Sequence, residues 1–277
     1  MKTIHAAAHA LQQAGFRTEV FPTGKRGDAE IKAREAASLK AGLIVAAGGD
    51  GTINEVINGM VWSDTPLAII PLGTTNVLAR EIFSGRGANA ALEAMTAGAP
   101  RHVSLGKIDA VDSGRPVSRY FCLMAGIGFD GMVVRDVRLK VKRITGPGAY
   151  ILSGLSTLFR HAPEELTFRI DGADYRGHLA VVGKISRYGG DFRVTPDARI
   201  GDPALYACIF QGGRRRDLLR YLFLVPFCRH LTAPDVLYLK ASGIAISGSA
   251  PIQIDGDYFG STPATISIAR DALRLVC

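Results

Sequence analysis

The chain has 277 residues, 47% of them hydrophobic and 21% charged, a balance that excludes a disordered or fibrous chain and suits one large or two modest domains. Lys and Arg number 33 against 25 Asp and Glu, a net charge of +8. Such a surface attracts a nucleotide, anionic lipid or nucleic acid, and low aromatic content without a basic-aromatic RNA motif argues against nucleic acid as partner.

Helix–strand alternation fills the first hundred residues. A helix over Ile4–Ala14, closed by Gly15, carries His5, His9 and Gln12 where a leader peptide would have an apolar core. Then come strand Arg17–Phe21, helix Asp28–Lys40, strand Leu43–Ala47, helix Ile53–Val61 and strand Leu67–Ile70, with helices near Thr75–Phe83 and Asn89–Ala97. Strands separated by helices predict a parallel sheet covered on both faces, with ligands beyond the strand C-terminal ends. From about Gly106 onward short β-rich stretches take over: Tyr120–Met124, Leu166–Ile170, His178–Val182, Ala204–Phe210, Val236–Ser242, Pro251–Ile254 and Ala264–Ile268. Turn residues punctuate them as in a sandwich or barrel. The domains are therefore expected at 1–105 and 106–277. Met124–Asp130 reads as a further glycine-rich turn, bordering a cleft or a tight interdomain crossing.

Two helices interrupt the strands. Val134, Val137, Val141 and Ile144 recur at helical spacing among Arg135, Arg138, Lys140, Lys142 and Arg143; residues 214–227 set Arg214, Arg215, Arg216 and Arg220 beside Leu218, Leu219, Leu222 and Phe223. A core-packed helix with a solvated cationic face is the commoner source of this pattern; the other is a helix resting on anionic lipid. The apolar run Tyr221–Phe227 falls short of the roughly 20 residues a spanning helix needs. Cys122, Cys208, Cys228 and Cys277 form no Cys-x-x-Cys pair and no Cys/His cluster. They read as reduced, buried or incidental thiols of a cytoplasmic protein without zinc.

The chemistry concentrates in two turns. Residues 48–59 read Gly-Gly-Asp-Gly-Thr-Ile-Asn-Glu-Val-Ile-Asn-Gly and follow the first apolar strand. Glycines let the backbone approach a ligand closely, and turn amides with a helix N-terminus favour an anion. Asp50 needs a task among phosphate-binding amides: holding a metal ion, orienting a hydroxyl or taking its proton. Gly-Gly-Asp-Gly is also ordinary turn chemistry, with Asp bonding locally. Thr52 and Asn54 suit capping or phosphate contact, and Glu55 suits the helix dipole. Pro71-Leu72-Gly73-Thr74-Thr75-Asn76 repeats the layout one βα unit later, with Arg80 on the helix face of Asn76. Two such turns point to a nucleotide-phosphate site.

With G-G-D-G-T-x-N-E-V-x-N-G and P-L-G-T-x-N-x-x-A-R, the chain resembles the diacylglycerol kinase catalytic family in its bacterial soluble branch. Tyr188-Gly189-Gly190, Pro196-Asp197-Ala198 and Gln253-Ile254-Asp255-Gly256-Asp257 extend the resemblance. NAD kinases and phosphofructokinases share only the Gly-Gly-Asp-Gly core. The resemblance implies an α/β nucleotide-binding domain (phosphofructokinase/NAD-kinase-like), a C-terminal β-sandwich domain and a cleft between them. It implies ATP, Mg²⁺ and a lipid hydroxyl taken from a membrane surface, with contact at the inner membrane face. By position, Thr23, Gly48, Gly49, Asp50, Gly51, Thr52, Asn54, Glu55, Gly73, Thr74 and Asn76 would line the nucleotide. Asp50 and Arg80 would act at the transferring phosphate. Asp257, with Asp255 beside it, would be the general base. Arg199, Asp202 and Ala204 would hold a structural Mg²⁺.

The chain also departs from that pattern. It opens on a helix where the family has a strand ending in Asn-Pro-x-Ser-Gly, so the first domain is expected to lack that strand. Asp257 replaces Glu, Val77 stands where many members have Asp, and Lys184 and Pro203 replace Asn and Gly around the metal segment. Two rivals follow: a kinase of the same superfamily acting on NAD or a sugar, and a non-catalytic nucleotide- or lipid-binding homologue. A homodimer is left open.

Overall fold

The computed structural model describes residues 2–85, 87–132, 134, 163–189 and 192–277. The expected helix over 134–144, apart from Val134, and Gly190 of the Tyr-Gly-Gly segment lie outside the described residues. The chain divides into two units, Met1–Ser104 with Arg270–Cys277, and Leu105–Ala269.

The first unit contains α1 (Lys2–Gln13), α2 (Asp28–Ser38), β1 (Ile44–Gly48), α3 (Asp50–Met60), β2 (Leu67–Pro71), α4 (Val77–Ile82) and α5 (Gly87–Ala97). β1 and β2 pair in parallel from Ile44↔Leu67 to Gly48↔Pro71. Leu67, Ala68, Ile69 and Ile70 are all buried, as in parallel strands covered on both faces. Helices α2 and α3 meet along small residues: a Cβ at Gly59 would overlap the Glu30 carbonyl oxygen and lie 2.9 Å from the Ala33 Cβ. Gly59, the last glycine of the motif, therefore serves helix packing.

Two expectations are corrected here. Residues Arg17–Phe21 form no strand. Among the described residues β1 pairs only with β2, so no strand partners this stretch, and Val20 and Phe21 stay exposed. The second unit does not run to residue 277. Strand β15 (Asp257–Val276) ends in the first unit, where Leu275 pairs in parallel with Leu67. There Ala272 accepts from Trp62 N–H at 2.8 Å, and Arg274 donates to the Asp64 carbonyl at 2.7 Å. Leu273, Leu275 and Val276 are buried, which explains why the chain returns.

The second unit holds β3 (Pro100–Asp112), β4 (Arg115–Phe121), β5 (Met124–Gly128), β6 (Leu166–Ile170), β7 (Ala173–Gly177), β8 (Leu179–Gly183), β9 (Arg187–Gly189), β10 (Phe192–Arg193), β11 (Leu205–Phe210), α6 (Arg215–Leu224), β12 (Val236–Ala241), β13 (Gly243–Ser247), β14 (Pro251–Ile254) and most of β15, β3 starting in the first unit. The sheet runs β12-β11-β8-β5-β14-β15-β13-β6-β7, with β3 on β15 and β4 on β3. One buried cluster takes Leu166, Phe168, Ile244 and Ile246 from one end and Val182, Leu205, Ile209 and Ala241 from the other. A flat sheet cannot bring its two ends into one core, so the sheet folds over itself as the expected sandwich.

Two further stretches differ from expectation. Tyr120–Met124 is not one strand but the end of β4, a break at Cys122–Leu123 and the start of β5. The amides of Cys122, Leu123 and Met124 all donate to Asp255 instead of to a neighbouring strand. Met124–Asp130 is not a turn. Met124–Gly128 is the fully buried β5, and a Cβ at Gly126 would overlap the Asp130 carboxylate.

Candidate functional site

The first turn is built by α3 starting directly off β1. Gly49 is extended (φ −86, ψ 177) and Asp50 opens the helix. The helix opens with a bond from Ile53 N–H to Gly49 O at 3.1 Å, so helix geometry leaves the amides of Asp50, Gly51 and Thr52 without intrahelical acceptors. Gly51 is exposed, and a Cβ there would meet nothing within 4 Å. Those amides, the positive end of the helix dipole and open space at Gly51 suit an anion. Thr52 lies over Gly48, where a Cβ would come within 2.7 Å of the Thr52 Cβ.

The second turn is pressed against the first. Leu72 N–H donates to Gly48 O at 2.9 Å, and a Cβ at Gly73 would lie 2.6 Å from the Gly49 Cα. Glycine is thus required at 73 by backbone contact. Asp50 bridges the turns, its carboxylate accepting from the amides of Val77 at 3.0 Å and Leu78 at 3.2 Å. That satisfies orphan donors at the start of α4. Asn76, left-handed at φ 47, brackets Gly73: its Oδ1 accepts from Gly73 N–H at 2.9 Å and its Nδ2 donates to Gly73 O at 2.7 Å. Thr74 and Thr75 remain exposed.

The structure therefore sorts the expected nucleotide residues. Gly48, Gly49, Asp50, Gly51, Thr52, Gly73 and Thr74 come together. Asn76 shapes the turn with its whole amide. Asn54 is buried at 7% exposure and accepts from Asn58 Nδ2 at its carbonyl (2.9 Å) and Oδ1 (3.2 Å), so it supports α3 from within. Glu55 is half-buried on the first turns of α3, and Arg80 is half-buried on α4. Thr23 is exposed in coil whose next residues, Gly24 and Lys25, are held by Asp28 at 2.9 Å each.

In the second unit, Asp255 is not placed as a reacting group. Its carboxylate accepts from the amides of Cys122 (3.0 Å), Leu123 (2.9 Å) and Met124 (3.0 Å), and its own N–H donates to Met124 O at 3.0 Å. Asp255 is a clamp between β14 and the β4–β5 break. Asp257 begins β15 and is half-buried. Sequence reasoning missed a polar cluster next to that turn. Gln253, 2% exposed, accepts from Gly256 N–H at 2.8 Å and donates to Asp130 Oδ2 at 2.7 Å. Tyr188 donates to the other Asp130 oxygen. Burial raises the Asp130 pKa above the ordinary carboxylate value, against the two hydrogen bonds. The signal available was Gly126, whose missing side chain makes room for that carboxylate.

The segment expected to hold Mg²⁺ contains a lysine ammonium. Lys184 is fully buried, and its Nζ donates to the carbonyls of Arg199 at 2.7 Å and Ile200 at 2.9 Å. Arg199 O also accepts from Asp202 N–H at 3.1 Å, so both its lone pairs are taken. Burial lowers the Lys184 pKa to about 8, opposed by the Asp202 charge. The residues present do not fit a metal at Arg199, Asp202 and Ala204. Among the described residues no group of three or more His, Cys, Asp or Glu is placed to hold one elsewhere.

Comparison with known proteins bears on the family and the fold. Residues 1–108 match the family model of the diacylglycerol kinase catalytic domain, and residues 124–277 match that of the YegS C-terminal NAD kinase beta sandwich-like domain. A diacylglycerol kinase of Staphylococcus carnosus is 30% identical over 260 residues, covering 92% of this chain and 82% of the relative. One of Staphylococcus aureus is 31% identical, covering 92% and 80%. A crystal structure of a Bacillus anthracis diacylglycerol kinase superposes with a TM-score of 0.73 at 22% identity, covering 99% of this chain and 91% of that one. This last likeness concerns the fold alone.

Proposed function

The chain belongs to the diacylglycerol kinase family, and from that premise we propose that it transfers the γ-phosphoryl group of ATP to the hydroxyl of diacylglycerol or a lipid of similar shape. The observation that carries this reading is the pair of glycine turns joined backbone to backbone and bridged by Asp50, with Gly51 facing open space. ATP would supply the phosphoryl group, and Mg²⁺ carried with it would neutralise phosphate charge.

The chain's part is positioning and electrostatics. The amides of Asp50, Gly51 and Thr52, with the hydroxyls of Thr52 and Thr74, bind the phosphates. Arg80 offsets negative charge as it develops during transfer. Asp257 takes the proton of the lipid hydroxyl; with one methylene fewer than Glu, it must sit nearer or act through a water. In this reading the lipid is met at a bilayer surface; among the described residues no helix is long and apolar enough to cross a membrane. Helix α6 supports that contact. Leu218 and Tyr221 are buried inward and Arg220 is ion-paired with Asp235, while Arg216 and Phe223 are exposed, continued beyond the helix by Phe227. The two phenylalanines are 69% and 73% exposed. An outward mix of arginine and phenylalanine suits an anionic bilayer interface.

The test is labelled ATP with a total lipid extract in mixed micelles and separation of the products. A labelled phospholipid is expected; label appearing only in NADP or a sugar phosphate would overturn the lipid acceptor. A second, non-catalytic reading draws on the shorter acid at Asp257, and nucleotide binding without turnover on any acceptor would select it.

A further inference from the structure

The loop before β11 has carbonyls that need a partner. Thr195 is held by its hydroxyl to Ile185 O at 2.9 Å, and Arg199 Nη1 turns back onto Pro196 O and Ala198 O at 2.7 and 2.9 Å. The carbonyls of Arg199 and Ile200 converge instead on one point, and that point holds the Lys184 Nζ. Lys184 is fixed there from behind, its N–H donating to Leu123 O at 2.8 Å. A buried ammonium is tolerated when its charge and donors are met; here two carbonyls take two of its three donors and the Asp202 charge favours the protonated form.

A divalent ion asks for the same surroundings in a different form. Mg²⁺ needs about six oxygens near octahedral geometry at roughly 2.0–2.1 Å. Here one oxygen already has two donors, and a positive charge stands beside the next. We propose that Lys184 is itself the cation of this loop, standing where a divalent ion would otherwise sit, so that the unit Leu105–Ala269 folds and stays folded without bound metal. The inference is independent of which lipid the enzyme uses. It assigns any metal requirement of turnover to the nucleotide rather than to the fold.

Thermal unfolding of the full chain tests it, in excess EDTA and in millimolar Mg²⁺ or Ca²⁺ without nucleotide. The wild-type Tm is expected to be the same in all three solutions. Lys184→Met removes the donor and is expected to lower Tm by roughly 5 to 10 °C in each of them. Lys184→Asn frees the carbonyls and removes the positive charge, so its Tm is expected to rise on adding Mg²⁺ or Ca²⁺. A wild-type Tm that falls in EDTA and recovers with Mg²⁺ would overturn the proposal. So would a Lys184→Met chain as stable as wild type, or a Lys184→Asn chain indifferent to both ions. Should the Met variant fail to fold, the wild-type comparison with and without EDTA decides alone.

Discussion

The carboxylate of Asp50 is joined to the backbone amide of Val77, 27 residues further along the chain, at 3.0 Å. A side chain in one glycine turn is thus the cap of the helix that follows the other. The carboxylate that a kinase reading assigns to chemistry also fixes the geometry of the cradle.

Asp50→Asn keeps one accepting oxygen and sets an NH₂ group against an amide. Phosphotransfer is expected to be lost, with a stability decrease of about 1–2 kcal/mol from the broken bond. Urea unfolding and turnover on the same preparation check both halves. An Asn variant with full activity would remove Asp50 from the reaction.

Gly51 and Gly73 separate ligand space from packing. Gly73→Ala places a Cβ 2.6 Å from the Gly49 Cα, so the turns must part; lower Tm and nucleotide affinity weakened by at least about tenfold are expected. Gly51→Ala meets nothing in the protein and improves helix propensity by roughly 0.5–1 kcal/mol. Its Tm should hold or rise while nucleotide affinity falls. Titration with a fluorescent nucleotide analogue, beside thermal unfolding, distinguishes the two.

Asp257 carries one methylene fewer than the glutamate it replaces. Asp257→Asn is expected to reduce turnover by about 10²–10⁴-fold with little change in nucleotide affinity. Asp257→Glu restores the family's reach and is expected to retain or raise turnover. An Asn variant with wild-type kcat would move the base elsewhere.

Asp130 gives the second unit a pH-dependent stability. Its folded pKa is raised by burial, so between the unfolded value near 3.8 and that raised value the native state holds a proton the unfolded chain has released. Stability from this group therefore falls as pH rises through the window, and is recovered on acidification. The Asp130→Asn variant should lack that slope. Denaturant midpoints measured from pH 4 to pH 8 are the check; equal slopes in both proteins would contradict it.

The outer face of α6 carries the last prediction. Replacing Phe223 and Phe227 together by Ser is expected to weaken sedimentation with anionic vesicles by about tenfold or more and leave Tm unchanged, because both rings are exposed. Unchanged vesicle binding would remove α6 from the membrane contact.

What could be read in the sequence was local. The runs Ile44–Ala47 and Leu67–Ile70 are apolar throughout because both faces of those strands are covered, and the turns after them announce themselves by glycine. The β3–β4 hairpin also has a local signal, the Ser113-Gly114 dipeptide, and both residues take the positive φ of a tight two-residue hairpin. Arg17–Phe21 has strand composition, but pairing depends on a neighbour that composition cannot supply. The tasks of Asp255, Asn54 and Lys184 were out of reach for a different reason. Asp255 finds Cys122 at a separation of 133 residues, and such partners are set by the packed chain. Lys184 was visible as a departure, though its two carbonyl acceptors were not.

Strand β15 has a consequence for how the chain is made. The open edge of β2 is covered by residues synthesised about 165 positions after Ser104. At 5–20 residues per second the first unit waits on the order of ten to thirty seconds on the ribosome before its sheet can close. Through that interval β2, which Leu275 joins at Leu67, lacks its second neighbour, and an unpaired strand edge is the part of a chain that invites wrong pairing.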